Sequence, residues 1–142
     1  MRENFTWERP ANCPPGLPLY HLAPGDWRAP AAALSCQQDI AADGAFSLGM
    51  ITEFQQPIET LGGWVYPRLF WEAGMVGQVL YLEAEAAGIR GTGIGCFLDD
   101  PVHVLFGLKD VAFQSLYHFT AGGPLEDTRL RTLSPYPDER YV

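Results

Sequence analysis

The chain has 142 residues, a formal net charge of −8, and 47% hydrophobic and 18% charged residues. This length predicts one domain, and the composition excludes a chain that is disordered throughout. The acidic balance argues against a general nucleic-acid binder, because no basic surplus is present to neutralise phosphates, and against docking on anionic membranes.

Sequence signals for a membrane or an export pathway are missing. No run of about 18 apolar residues occurs, so no bilayer-spanning helix is predicted. The first eight residues, MRENFTWE, lack the apolar stretch of a signal peptide. We therefore expect a cytoplasmic protein.

The cysteines and histidines give no metal or disulfide pattern. Cys13, Cys36 and Cys96 are odd in number, widely spaced and without a C-x-x-C motif, so we expect reduced thiols. The three histidines are equally scattered, so no metal site is predicted.

The N-terminal thirty residues are rich in proline and glycine. Proline lacks a backbone N–H and breaks helices, so we expect an extended arm over residues 1–30 and a domain over residues 31–142. The arm is either a loose end or a segment docked on a neighbouring subunit or missing domain. The aromatic side chains of Trp7, Tyr20 and Trp27 favour docking, because they need somewhere to bury.

Three short elements are predicted next. Ala29–Gln38 fits a short helix, with Asp26 as a candidate cap. Ala45–Phe54 follows an Asp-Gly turn signal and predicts a strand that is buried on both faces. Residues 55–63 contain a proline and a glycine pair and predict a polar loop.

A long helix is the strongest prediction. Pro67 suits the first helical turn, apolar residues recur at three- and four-residue spacing over Arg68–Ala87, and Gly88 suits the end. The stripe covers most of the circumference, so we expect this helix to be buried in a core or at a subunit interface.

The C-terminal part completes an α+β order. Gly91–Phe97 has strand character, and Asp99-Asp100-Pro101 predicts a capped start for a short helix over Val102–Phe106 that Gly107 ends. Residues 113–120 alternate and predict a strand, and residues 125–142 predict an extended tail. Strands and helices in this order form a layered α+β domain.

The alternating glycines Gly91, Gly93 and Gly95 are the most informative candidate site. Their spacing fits neither a dinucleotide fingerprint nor a phosphate-binding Walker loop. Glycine at every second position clears one face of a strand. A flat group such as a flavin ring then lies against the backbone, or alternatively the long helix packs closely there.

Other candidates have simpler explanations beside the functional ones. Cys96 is either a nucleophile or a buried inert thiol, and the inert thiol is favoured. Asp99 and Asp100 fit a helix cap better than a catalytic pair, and His103 and His118 fit satisfied structural histidines. Three arginines near the C-terminus either reach an anion such as a flavin phosphate or lie in solvent, and solvent is favoured: Arg129, Arg131 and Arg140.

Four segments in order resemble one known family. They read EAGMVGQVLYLEAEAAG at residues 72–88, GTGIGCFLDD at 91–100, LYHFTAGGP at 116–124 and EDTRL at 126–130. Together they resemble the C-terminal half of the nitroreductase-like flavoproteins, most closely the azoline-dehydrogenase (SagB-type) branch. The resemblance runs from about Tyr66 to Tyr136.

The resemblance implies a mixed sheet with flanking helices around a long central helix. It implies an intertwined homodimer that binds FMN at the subunit interface and passes hydride from NAD(P)H or a reduced substrate. Carried over by position, the backbone contacts to the flavin ring fall on Gly93, Ile94, Gly95 and Cys96, and Arg131 and Arg140 are candidates for the phosphate. The long helix, with Gly74, Gly77 and Gln78, is expected in the core and dimer contact.

One part of the family pattern has no counterpart. The arginine- and serine-rich segment that grips the FMN phosphate belongs to the family's N-terminal half, so the chain resembles half of the fold, with a second chain as a candidate for the rest. Two hypotheses follow. The first is an FMN-dependent oxidoreductase or its C-terminal portion, and the second is a cofactor-free half-domain for dimerisation or partner binding.

Overall fold

A computed structural model of the chain describes residues 5–131 and 133. Five helices, one 3-10 turn and three strands are defined within these residues. In chain order they are α1 (Arg28–Leu34), α2 (Ile40–Asp43), β1 (Phe46–Glu53), α3 (Gln55–Leu61), the turn (Gly63–Val65), α4 (Tyr66–Ala86), β2 (Arg90–Ile94), α5 (Asp99–Phe106) and β3 (Phe113–Gly122).

The three strands form one antiparallel sheet in the order β1-β3-β2, so β3 is the central strand. Met50 pairs with Tyr117, and the register then shifts so that Ile51 pairs with Ser115. This bulge places an extra residue of β3, Leu116, between the two pairs. The α+β class and the long central helix are confirmed, and the sheet within the described residues is antiparallel throughout.

Helices cover both faces of the sheet. Helix α4 packs on β2 and β3 on one side, whereas α2 and α5 pack against β3 on the other, with α1 against α2 and α5. The hydroxyl of Thr120 lies 3.1 Å from the Ile40 carbonyl and 2.9 Å from the Phe46 carbonyl, which ties α2 to the sheet. The sheet is therefore the middle of three layers.

Helix α4 begins two residues before the predicted start and ends one residue before the predicted end. Pro67 lies in its first turn, where the missing N–H has no intrahelical partner to lose, and Gly88 follows the helix with a φ of 69°. Its inner residues Leu69, Ala73, Gly77 and Ala84 are buried. The opposite face is exposed, including Trp71 at 63%, Met75 at 62% and Leu82 at 60%.

Two predicted elements were wrong in detail. The predicted polar loop over residues 55–63 is mostly helix α3, because Pro57 lies in the first helical turn, where proline is tolerated. Helix α5 starts at Asp99 rather than at Val102. Its N-cap residue is Leu98, which makes no side-chain capping hydrogen bond. Both aspartates lie in the first turn, where their negative charges interact favourably with the helix dipole.

Strand β1 is one residue shorter at each end than the predicted strand, and it is not buried on both faces. Phe46 is 46% exposed and Leu48 38% exposed. The helices cover β1 incompletely, because α4 packs on β2 and β3 whereas α2 is the helix that packs on β1. A continuous apolar sequence is typical of a strand that is covered on both faces.

The cysteine prediction was wrong. Cys36 and Cys96 form a disulfide, with Cα atoms 5.9 Å apart and 60 residues between them in sequence, and Cys13 is free. Nor is Cys96 a buried thiol, because it is exposed. The pairing depends on the meeting of the α1–α2 corner with the end of β2, which cysteine spacing does not indicate.

The N-terminal segment contains no helix or strand between Phe5 and Trp27, and it folds back on itself. Glu8 and His21 exchange two backbone hydrogen bonds, of 3.1 and 2.7 Å. The ring of Phe5 lies edge-on to Phe106 of α5, with centroids 6.3 Å apart. Helix α1 follows at Arg28, whose backbone N–H donates to the Asp26 carboxylate at 3.1 Å.

Among the described residues, no helix combines the length and hydropathy needed to cross a bilayer.

Two valines of α5 provide a test of the layer packing. Val102 is 1% exposed and Val104 is 77% exposed. We expect Val102→Ala to lower the free energy of unfolding by about 2 kcal/mol, because it removes two buried carbon groups and leaves a cavity. Val104→Ala makes the same change in solvent and is expected to have almost no effect. Urea unfolding of both variants measures the difference, and equal effects would contradict the placement of α5.

Candidate functional site

The two glycines inside β2 are covered by aromatic side chains of the chain itself. A Cβ on Gly91 would lie 2.6 Å from Phe119 Cζ and 3.4 Å from the Ala84 side chain. A Cβ on Gly93 would overlap the hydroxyl of Tyr117. The close-packing alternative therefore describes this face: rings of β3 occupy the space that glycine clears between β2 and α4.

The backbone of β2 also has partners within the fold at Gly93 and Ile94. The Gly93 N–H donates to the Tyr81 hydroxyl at 2.6 Å. Ile94 is 2% exposed and pairs with His118 across the sheet. A ligand at either residue would therefore meet backbone atoms that already form part of the sheet or of its cover.

The backbone becomes open at Gly95. A Cβ there would meet no atom within 4 Å, and Gly95 lies outside the strand. Residues 95–98 form the loop that leads to α5, hereafter the 95–98 loop. Cys96 in this loop is exposed and bonded to Cys36. Of the four glycine-strand candidates, Gly95 and Cys96 are the two that lie at the surface.

The candidate arginines are not assembled into an anion site among the described residues. Arg129 forms a paired contact with Asp127, at 2.9 Å from Nε to Oδ1 and 2.7 Å between the terminal nitrogen and Oδ2. Its guanidinium lowers the pKa of the Asp127 carboxyl. Arg131 is exposed, and Arg140 lies outside the described residues.

A histidine pair lies on the face of the sheet opposite α4. The Ser115 backbone N–H donates to His103 Nε2 at 3.3 Å. The Ser115 hydroxyl lies 3.0 Å from His118 Nε2, and the His118 ring stacks on Phe97 with centroids 4.2 Å apart. Both histidines have partners within the fold, as expected of satisfied histidines.

His118 is 6% exposed, and this burial lowers its pKa, while the nearby Asp99 carboxylate opposes the shift. The imidazole is therefore neutral at pH 7. Gly49 on β1 lies directly opposite His118, and a Cβ there would be 3.3 Å from Nε2. The missing side chain leaves room for the imidazole at the centre of the sheet.

A cavity of 320 Å³ opens beside His118. Its walls come from α1, α5, β1 and the folded N-terminal segment, which contributes Phe5, Tyr20 and Trp27. No Asp, Glu, Lys or Arg side chain is among its lining residues. The cavity was not predicted from the sequence. The one feature that pointed towards it was the set of aromatic residues in the proline-rich segment, which were expected to need a place to bury.

Three solved structures share this arrangement. A protein of Anabaena variabilis, assigned as a nitroreductase, matches 71% of this chain with a TM-score of 0.65 and 29% identity. The chain has a nitroreductase-like fold. NfrA1 of B. megaterium matches 81% of it with a TM-score of 0.55 and 19% identity. The YdfN protein of Bacillus subtilis, also assigned as a nitroreductase, matches 82% with a TM-score of 0.53 and 17% identity.

The chain spans only part of each of these proteins. It covers 20% of the Anabaena protein, 53% of NfrA1 and 70% of YdfN. No family model and no curated protein sequence matches it. The likeness therefore concerns the nitroreductase-like fold over part of each larger chain.

The two glycines on either side of Ile94 should respond differently to a methyl group. We expect Gly93→Ala to destabilise the fold by about 1–3 kcal/mol, because the added Cβ overlaps the Tyr117 hydroxyl. Gly95→Ala should change stability by less than about 0.5 kcal/mol, because the space there is open. Thermal and urea unfolding give both values, and a stable Gly93→Ala protein would refute the packing described for β2.

The pH dependence of stability should report on His118. Its folded-state pKa is below the ordinary value of 6.5, so the unfolded chain binds a proton more readily. The free energy of unfolding should therefore fall as the pH drops through about 6.5 towards the folded-state pKa, and this histidine should contribute no slope at higher pH.

Urea unfolding between pH 5 and pH 8 measures that slope. His118→Gln should reduce the slope below pH 6.5, because glutamine does not titrate. His21→Gln, at an exposed histidine, is the matched control and should keep the wild-type slope. If His118→Gln also keeps it, burial of a neutral imidazole is not the cause.

Proposed function

We propose that this chain is the C-terminal portion of an FMN-dependent oxidoreductase, in which hydride passes through the flavin N5. The observation that carries the proposal is the likeness to the Anabaena protein, at 29% identity over 71% of this chain with a TM-score of 0.65. The order of the four sequence motifs supports the azoline-dehydrogenase (SagB-type) branch, with NAD(P)H or a reduced substrate as the hydride donor.

The described residues fit one side of an FMN site. The backbone at Gly95 faces open space, and Cys96 is exposed beside it, although its sulfur and its carbonyl are bound to Cys36 and Gln38, so Gly95 offers the open surface for a flat ring. The space beside Gly91 and Gly93 is already filled by Phe119 and Tyr117, so these glycines support the loop rather than the ring. We assign the ring contacts to the backbone at Gly95 and Cys96, centred on Gly95, and we assign Gly93 and Ile94, whose backbone is already engaged in the fold, to holding this loop in place.

The phosphate of FMN needs cations, because charge-assisted hydrogen bonds supply much of its binding energy. Arg129 is already paired with Asp127. We propose Arg131 and Arg140, together with residues of a second chain, for this role. The bound flavin supplies the two-electron chemistry, and this chain orients it and covers one of its sides.

A second copy of the chain is proposed as the partner, and its place is the exposed face of α4. Trp71, Met75, Val79 and Leu82 recur at spacings of four, four and three and are each more than half exposed. This spacing aligns them in one stripe along the helix. A continuous apolar stripe of this kind marks an interface.

FMN retention is the first test. The purified chain is incubated with excess FMN and passed through gel filtration while the absorbance spectrum and the eluted mass are recorded. We expect about one FMN per chain, eluting with the mass of a dimer. Gly95→Val should weaken FMN binding by about tenfold or more, because its side chain enters the space assigned to the ring.

Gly123→Val is the matched control. A Cβ at Gly123 also meets no atom within 4 Å, but the residue lies beyond the end of β3 and outside the assigned contacts. It should retain FMN like the wild type. If the wild-type chain retains no flavin at high concentration, the proposal fails and the cofactor-free partner-binding alternative takes its place.

A further inference from the structure

A covalent bond joins the 95–98 loop to the corner between α1 and α2. The Cys36–Cys96 disulfide links segments 60 residues apart. Two hydrogen bonds lie beside it, from the Leu98 N–H to the Leu34 carbonyl at 2.8 Å and from Gln38 Nε2 to the Cys96 carbonyl at 3.1 Å. Three neighbouring links therefore join the loop to this corner, and the disulfide is the one of the three that is sensitive to redox conditions.

The corner on the other side of the bond has an unusual backbone. Cys36 and Gln37 have φ values of 56° and 61°, in the left-handed region that residues with a side chain rarely adopt. Such conformations persist only where the surrounding structure holds them. The disulfide attaches at the first of these two residues, so it is part of what holds the corner.

One of the two bonded residues lies at the surface. Cys96 is exposed and Cys36 is half-buried. A disulfide is broken by attack of a thiolate on a sulfur, so access is the first requirement for reduction. Strained or exposed disulfides are the labile ones, whereas the structural disulfides of secreted proteins resist reduction by the glutathione pool.

We propose that Cys36 and Cys96 form a reversible thiol–disulfide site that clamps the 95–98 loop. In the oxidised state the loop is bonded covalently to the α1–α2 corner. In the reduced state only non-covalent contacts hold it, namely the two hydrogen bonds to that corner and the stacking of Phe97 on His118. The clamp itself depends only on the bond and its surroundings. Its consequence for FMN, tighter retention in the oxidised state, rests on the function proposed above.

The exchange balances with a small thiol as co-reactant. A thiolate of glutathione or a dithiol attacks the Cys96 sulfur, forms a mixed disulfide with it and releases the Cys36 thiolate. A second thiol then attacks the mixed disulfide and releases the Cys96 thiolate. Two electrons pass to the protein, the two thiolates take up protons, and the reductant leaves as a disulfide. Oxidised glutathione reverses both steps.

The experiment uses the full chain equilibrated in glutathione buffers of stepped reduced-to-oxidised ratio. Thiol titration after unfolding should count one free thiol, that of Cys13, in oxidising buffer and three in reducing buffer. The melting temperature should fall by about 10 °C on reduction, because a cross-link that closes a long loop is lost. Hydrogen exchange at residues 95–98 should rise in parallel.

Matched serine variants separate the clamp from general thiol effects. Cys96→Ser should behave like the reduced protein at every glutathione ratio, whereas Cys13→Ser should keep the full redox response. If Cys96→Ser does not fold, the wild type at the reducing end of the series provides the same comparison. Three free thiols in oxidising buffer, or a disulfide that survives millimolar dithiol in the folded protein, would overturn the proposal.

The same buffers separate this proposal from the proposed function. A redox-dependent melting temperature with no FMN retained in either state supports the clamp and contradicts the oxidoreductase. FMN retained equally in both states, with no redox-dependent melting, supports the oxidoreductase and overturns the clamp. FMN retention that falls together with stability on reduction supports both.

Discussion

The packing of Tyr117 and Phe119 into the gaps left by glycine is the contact on which the other parts of this fold depend. Both rings project from the central strand β3 towards α4, and they fit only because Gly77, Gly91 and Gly93 lack side chains. This contact sets the distance between β2 and α4. It also ends at Gly93, so the next glycine, Gly95, faces open space. One packing constraint thus determines where the strand is covered and where its backbone becomes available.

Elements with a long periodic pattern could be predicted from the sequence, whereas features that depend on tertiary contact could not. Helix α4 and strand β3 carry such patterns, and both were correct to within two residues. Helix α3 was missed because Pro57 suggests a loop, although a proline in a first turn is compatible with a helix. The disulfide and the cavity beside His118 join segments far apart in sequence. Spacing carries no information about contacts between distant segments. The predicted strand over Gly91–Phe97 was correct for residues 91–94, whereas residues 95–97 lie in a loop.

The distribution of apolar side chains supports the partner proposed above. Among the described residues, ten hydrophobic residues are buried, whereas 24 large hydrophobic residues are exposed. Single exposed apolar residues are ordinary, but an aligned stripe along a 21-residue helix is not. The chain spans 20–70% of the length of the three similar structures. The exposed stripe of α4 and the partial coverage of the similar structures both fit the proposed partner, because a partner on α4 would cover the stripe.

The distribution of cations limits which residues could bind the phosphate of the proposed FMN. An anionic cofactor on a chain of net charge −8 needs a local positive site. Arg28 and Arg129 are held by Asp26 and Asp127, and Arg90 lies between two glutamates, so these guanidiniums are already neutralised. Freeing one would leave its carboxylate near the phosphate, where the like charges repel. The counter-charge for the proposed phosphate would therefore come from cations without such a carboxylate. Among the described residues, Arg9 donates to backbone carbonyls instead and Arg68 lies over the Trp64 ring. This leaves Lys109, the C-terminal arginines and a second chain as the better candidates.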